Sequence, residues 1–205
     1  MNSFGRNAYY WRRLSPAERE KVLALRKAQH RPWHSPPHAT EGGRYLLTAA
    51  CYEHAPVIGD TGRRLADFEE ALLECLGPWV VRPIHAWVVL PNHYHVLASV
   101  ADTEAALHSL GQLHGRTAFA WNGADGKRDR KVWCGAEETR MKSERHFWAS
   151  MNYIHHNPVK HGYVTHWTDW PFSSAAAYLQ TVGRERAEAI WREYDISDMG
   201  ADWDP

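Results

Sequence analysis

Cysteine is scarce in this chain: three residues in 205, at positions 51, 75 and 134, with no Cys-x-x-Cys pair. That excludes a disulfide framework and a zinc knuckle and leaves reduced cysteines in a core. No apolar run approaches the ~20 residues of a membrane span. The opening MNSFGRNAYYWRRLSPAER lacks the apolar centre of a secretory signal. A cytoplasmic protein with no membrane partner is therefore the expectation. Net charge is also missing, with 24 basic residues against 24 acidic ones, so overall charge announces no polyanionic partner. Neither an internal repeat nor an HExxH metalloprotease signature is present.

The remaining composition is globular: 44% hydrophobic and 23% charged, in a length that suits one domain with extensions. Charge is unevenly placed. Arg6, Arg12, Arg13, Arg19, Lys21, Arg26, Lys27, Arg31 and Arg44 crowd the front, whereas Glu185, Glu188, Glu193, Asp195, Asp198, Asp202 and Asp204 mark the end. A basic front can hold phosphates and an acidic tail cannot. The 11 Trp and 14 His are many for this length. Aromatics beside basic residues can stack on unpaired bases, but most of these Trp read as core.

Local signals divide the chain into three parts: a basic helical extension with a Pro-rich linker over 1–43, a main domain over 44–180 and an acidic tail over 181–205. Ser15-Pro16-Ala17-Glu18 reads as a helix start, with Ser15 as cap and Glu18 reaching back. RPWHSPPHATEGG is an irregular linker. Residues 44–52 form a predicted strand. Leu65, Phe68, Leu72 and Leu76 have helical spacing and end at Gly77-Pro78. Residues 79–100 read as a hairpin turning at Pro91-Asn92. A helix capped by Asp102 or Thr103 runs to about Trp121, with Leu107, Leu110, Leu113 and Phe119 inward. NGADGKRDRK is a polar, basic loop, and 132–141 is a further strand. Ser143 caps a last helix, which Pro158 is expected to interrupt after Asn157. This order predicts an α+β layer fold with a mainly antiparallel sheet.

Two short stretches carry chemistry. In Leu90-Pro91-Asn92-His93-Tyr94-His95-Val96-Leu97, His93 and His95 share one face of a strand and Tyr94 takes the other. Two neighbouring imidazoles make half of a divalent-metal site; two polar residues on a wet strand face would look the same. In Asn152-Tyr153-Ile154-His155-His156-Asn157-Pro158-Val159-Lys160, Tyr153 and Asn157 lie one helical turn apart. A phenol near a metal-bound phosphate is a candidate nucleophile, and an amide oxygen a candidate third ligand. His156 competes for that third position. His34 and His38 are also four apart, but the prolines around them oppose a helix that would align them.

PNHYHVL resembles the His-hydrophobic-His motif of the HUH single-strand endonucleases. YIHHNPVKHGYV followed by DWPFSS resembles the catalytic helix and following segment of the REP-associated tyrosine transposases, relatives of the IS200-like single-tyrosine transposases. VWCGAEETRMKSERHF is similar to the stretch between them, and the likeness spans roughly residues 44–178. The resemblance implies a ferredoxin-like HUH nuclease fold, with His93 and His95 binding Mg²⁺ or Mn²⁺ and Tyr153 as nucleophile. Asn157 stands where IS200-like relatives place a glutamine and the REP-associated branch an asparagine, one methylene shorter. The implied partner is single-stranded or hairpin DNA of REP type. The implied reaction cleaves and rejoins one strand through a 5′-phosphotyrosine, in a monomer or a homodimer. Arg12, Arg13, Lys127, Arg128, Arg130, Lys131, Arg140 and Lys160 are the expected DNA-backbone contacts. The rival readings are a catalytically inactive, domesticated nucleic-acid-binding protein and a zinc hydrolase using His30, His34, His38, His93 and His95; the latter lacks a fixed three-ligand spacing.

Overall fold

The structure, a computed structural model, describes residues 42–196 and, before them, Ser15, Ala17, Glu18 and Lys21. At the latter, the reciprocal cap is formed. Ser15 N and Oγ donate to Glu18 Oε2 at 2.8 and 2.7 Å, and Glu18 N donates back to Ser15 Oγ at 3.4 Å.

Four antiparallel strands, β1 (Gly43–Ala50), β2 (Val80–Val89), β3 (His93–Val100) and β4 (Glu137–Arg140), form one sheet in the order β2-β3-β1-β4. The hairpin predicted over 79–100 is β2 and β3. Register breaks between Val81 and Ala86, around Pro83. A residue with no N–H is tolerated there because β2 is an edge strand. The last predicted strand is shorter than expected, with pairing confined to residues 137–140 and one bridge from Trp133 to Cys51.

Helices cover both faces. On one, α1 (Gly62–Leu76) and α2 (Thr103–Ala124) pack against the sheet. Leu65, Phe68, Leu72 and Leu76 meet Leu47, Tyr94, Val96 and Ala98 in one apolar cluster. Thr61 caps α1 at Arg64 N, and Asp102 caps α2 at Ala105 N. Phe119 departs from expectation, at 85% exposed. It lies six residues beyond Leu113, about 120° round the helix, whereas Trp121 turns inward against Phe68 and Trp133.

On the opposite face lies α3 (Glu144–Lys160), started by Ser143 accepting from His146 N. It does not stop at Pro158, as the sequence suggested, but continues to Lys160. The proline falls in the last turn and removes only its own N–H from the ladder. The helix then closes with His161 N on Asn157 O and Tyr163 N on Pro158 O. Two further helices, α4 (Ala175–Val182) and α5 (Arg184–Glu193), complete the described residues. The segment read as an acidic tail thus opens with a helix, whose Ala187 and Ile190 are buried. All three cysteines are free thiols, as expected. Among the described residues no helix is long and apolar enough to cross a membrane.

Candidate active site

The histidine pair sits at the centre of the sheet. β3 lies between β1 and β2, so His93 pairs with Ala50 and His95 with Thr48 on one side and Val88 on the other. The wet-face alternative fails: α3 roofs this face, leaving His93 3% and His95 1% exposed. Tyr94, on the other face, is fully buried and its hydroxyl meets His114 Nε2 at 3.1 Å.

The roof brings the second motif to the first. Asn157 Oδ1 lies 3.0 Å from His93 Nε2. The Tyr153 ring stands edge-on to His95, centroids 5.4 Å apart, and the two imidazoles are 5.1 Å apart. All four groups belong to one chain. His156 is not among them; its ring lies against Trp191, 5.1 Å away.

Proton bookkeeping at His93 is informative. Asn92 Nδ2 donates to His54 O at 3.3 Å, which turns Asn92 Oδ1 towards His93 Nδ1 at 2.8 Å. An amide oxygen only accepts, so Nδ1 carries the imidazole proton. Nε2 then presents a lone pair to Asn157 Oδ1, a second acceptor. Protonating the ring would reconcile them, but burial, reinforced by nearby His161, pushes His93 down to about 3. Either the Asn157 amide turns its nitrogen inward or a cation lies between the two. His95 Nδ1 meets Thr48 Oγ1 at 2.9 Å, a hydroxyl that can accept or donate, and burial likewise holds this ring neutral. Metal-binding histidines are held in this way, one nitrogen on a protein oxygen and the other on the ion. Adjacent ligands of an octahedral ion at about 2.1 Å stand about 3.0 Å apart, the spacing seen between Nε2 and Oδ1. Among the described residues no three His, Cys, Asp or Glu side chains could hold a metal; the candidate set depends on an amide oxygen, and the residues fit a hard divalent ion.

Several residues of the site were not singled out by sequence. His161 caps α3 and lies 5.1 Å from His93, ring to ring. His54 adopts a left-handed backbone, φ 50°, in the turn after β1. The DWPFSS segment works as a clamp on the outer edge of β2. Val89 N donates to Phe172 O at 2.9 Å, Ser174 N to Trp87 O at 3.0 Å and Trp170 Nε1 to Val89 O at 2.8 Å. His155 Nε2 meets Ser174 Oγ at 2.9 Å, which ties α3 to that clamp.

The expected DNA contacts fare unevenly. Arg12 and Arg13 lie outside the described residues. Lys127, Arg128, Lys131 and Arg140 are exposed. Lys131 Nζ lies over the Tyr52 ring at 4.9 Å. Arg130 is engaged internally: it bonds Asp125 Oδ2 at 2.6 Å and Asn122 Oδ1 at 2.9 Å, in a cluster where Arg64 holds the other Asp125 oxygen. Lys160 is closer to the chemistry than a backbone contact need be, with Nζ 5.4 Å from the centre of the Tyr153 ring. His30, His34 and His38 are outside the described residues.

No protein-family model matches the chain. It is 30% identical over 118 residues to the REP-associated tyrosine transposase of Escherichia coli (strain K12), a match covering 58% of this chain and 67% of that protein. Its fold also matches the solved structure of a REP-associated tyrosine transposase bound to a REP hairpin. There the TM-score is 0.59 at 21% identity, over 83% of this chain and 97% of the other. At that identity the solved structure speaks for the fold alone, while the curated relative adds kinship in sequence: this chain belongs to the REP-associated tyrosine transposases, within the IS200-like family.

Proposed function

We propose that this chain is a metal-dependent single-strand DNA endonuclease and transposase that cleaves and rejoins hairpin-forming, REP-like DNA. The observation that supports it is the convergence of Tyr153, His93, His95 and Asn157, with His93 turning a lone pair towards an amide oxygen. His93 Nε2, His95 Nε2 and Asn157 Oδ1 would hold Mg²⁺ or Mn²⁺. Bound there, the ion would supply Lewis acidity and orient the scissile phosphate; nitrogen ligands favour Mn²⁺ over Mg²⁺.

Tyr153 Oη attacks the phosphorus, the bond to the 3′ oxygen breaks, and that oxygen leaves as a free 3′-OH after gaining a proton. The 5′ phosphate remains on the tyrosine. A second 3′-OH reverses the step, since the phosphodiester bond energy is retained. A phenol with an ordinary pKa of about 10 must lose its proton first; Lys160 Nζ is a nearby cation, 5.4 Å from the centre of the ring. Lys127, Arg128, Lys131 and Arg140 would take backbone phosphates, so binding should fall steeply with salt.

The test is a labelled single-stranded hairpin incubated with Mn²⁺ and run on a denaturing gel. Wild type is expected to give a protein-linked fragment, the strand 3′ of the cut held through its 5′ phosphate, and a free 5′ fragment ending in a 3′-OH. Tyr153→Phe is expected to bind the hairpin and give none; equal adduct from the variant would remove Tyr153 from this role.

A further inference from the structure

Beside α3, away from the histidine pair, is a cavity of about 480 Å³ between α3, α4, α5 and the loop at Trp167. His156, Trp167, Tyr178 and Trp191 line it, with Arg184 and Arg192 among the polar residues around it. Its chemistry is not that of a gap in a core. Trp191 is 41% exposed, although large aromatic side chains elsewhere among the described residues are mostly packed inward. Its ring tilts against His156 at 5.1 Å, and Trp167 and Tyr178 stand 6.4 Å apart, edge to face. The Tyr178 hydroxyl is buried and makes no hydrogen bond among the described residues. A buried hydroxyl without a partner costs stability and needs a reason. At the mouth, Arg184 and Arg192 share the carboxylate of Glu188, at 3.8 and 3.6 Å. Two guanidinium groups against one carboxylate leave one positive charge in excess. Both pairs are exposed and weak, so the guanidinium groups can turn to another anion.

We propose that this cavity takes one unpaired nucleobase of the DNA strand, with the adjoining phosphate on Arg184 or Arg192. Aromatic faces accept any base by stacking, and a lone hydroxyl supplies a donor or acceptor to its edge. The volume lies within the range of sites that enclose small molecules. Location gives the pocket a use. Asn152 Nδ2 of α3 donates to Ile190 O and Tyr194 O at the end of α5, at 3.3 and 2.9 Å. His155 of α3, next to Tyr178 at 4.8 Å, reaches the β2 clamp through Ser174. A base held here therefore bears on the helix that carries Tyr153 and fixes where the strand crosses it. This rests on the single-strand reading above but concerns a separate site.

The experiment uses the full chain and a fluorescent REP-type hairpin with single-stranded flanks, together with a set in which each flank position in turn is abasic. Trp191→Ala is expected to weaken binding of the intact hairpin roughly tenfold or more, the scale of one lost base–aromatic stack. At one flank position the abasic substitution should produce the same loss, and there Trp191→Ala should add nothing. Tyr178→Phe, which removes only the hydroxyl, should weaken binding severalfold and become silent at that same position; it keeps the test open if Trp191→Ala fails to fold. Wild type that binds single-stranded flanks, with both variants binding equally well or losing affinity equally at every abasic position, would overturn the pocket and leave the function standing. Wild type that binds no single-stranded DNA would overturn both. Saturable quenching of Trp191 by free dAMP, with no abasic-sensitive position, would give the pocket to a free nucleotide and overturn the strand assignment.

Discussion

Acid should unfold this protein well before its carboxylates titrate, and a lower bound on the effect follows from three buried imidazoles, with His95 adding to it in the same direction. Burial holds His93 and His155 down to about 3 and His114 to about 4. Each is neutral in the fold at pH 5, whereas in the unfolded chain each titrates near 6.5. Above pH 6.5 both states are neutral and pH has no leverage. As pH falls below 6.5 the unfolded state takes up protons that the fold refuses, so stability is lost, and the loss stops growing only at the folded values. At pH 5 each group is 1.5 units below its unfolded value, worth about 2 kcal/mol at 1.36 kcal/mol per unit. The three together cost about 6 kcal/mol, a large part of the 5–15 kcal/mol that holds a typical domain. This sum depends little on the folded values, provided they stay below 5. Glu69 works the other way, because burial raises its carboxyl, but it recovers little at that pH. Urea titrations at pH 7.5 and 5.0, followed by Trp fluorescence, should show the difference. His155→Gln should cost some stability at pH 7.5 and shrink the pH-dependent loss by about 2 kcal/mol. Stabilities at the two pH values within about 1 kcal/mol of each other would refute buried, neutral imidazoles.

Three other outcomes are expected. A Cβ on Gly59 would stand 2.3 Å from Pro91 Cβ, in the turn that leads into His93; Gly59→Ala should cost about 1–3 kcal/mol by overpacking and lower adduct yield, as read by melting and by the denaturing gel. Arg130→Ala should lower stability by about 1–2 kcal/mol through loss of the Asp125 cluster while leaving the salt dependence of DNA binding unchanged, whereas Lys127→Ala and Arg128→Ala should reduce the slope and spare stability. Mn²⁺ should raise the melting temperature at pH 7.5 in wild type and not in a His93→Ala, His95→Ala double variant, and the rise should persist at pH 6, because burial keeps both folded imidazoles neutral there.

The elements with strong periodicity were legible. Leu65, Phe68, Leu72 and Leu76 fix α1 because four large apolar residues at helical spacing admit one inward face. The hairpin is announced by Pro91-Asn92 between β-rich runs. Phe119 misled because hydrophobicity alone does not give the angle round a helix, and Pro158 misled because a proline in a last turn breaks almost nothing. The helix α5 was hidden by its charge: only Ala187 and Ile190 are buried, and three arginines and three glutamates fill most of its ten positions. At the site, His93 and His95 were visible as a pair, but their burial was not, because a strand roofed by a helix on one face and packed on the other does not alternate. Arg130 counted as a free cation only until Asp125 and Asn122 were seen around it. His161 and His54 gave no signal, since a single histidine beyond a helix or in a turn looks like any surface residue.

The position of Tyr153 is then a matter of helix register. Three side chains of α3 are tied to three different places: Asn152 to the last carbonyls of α5, His155 through Ser174 to β2, and Asn157 to His93 on β3. The first two ties are hydrogen bonds at buried or half-buried positions, where an unmade bond costs about 1–3 kcal/mol, and the third sets Asn157 Oδ1 3.0 Å from His93 Nε2. Sliding α3 by one residue would turn it 100° and break all three at once, whereas any one alone could be replaced by water. The phenol is therefore delivered to His95 by contacts made within its own chain. That brings the two imidazoles, the amide and the phenol ring together within a single chain.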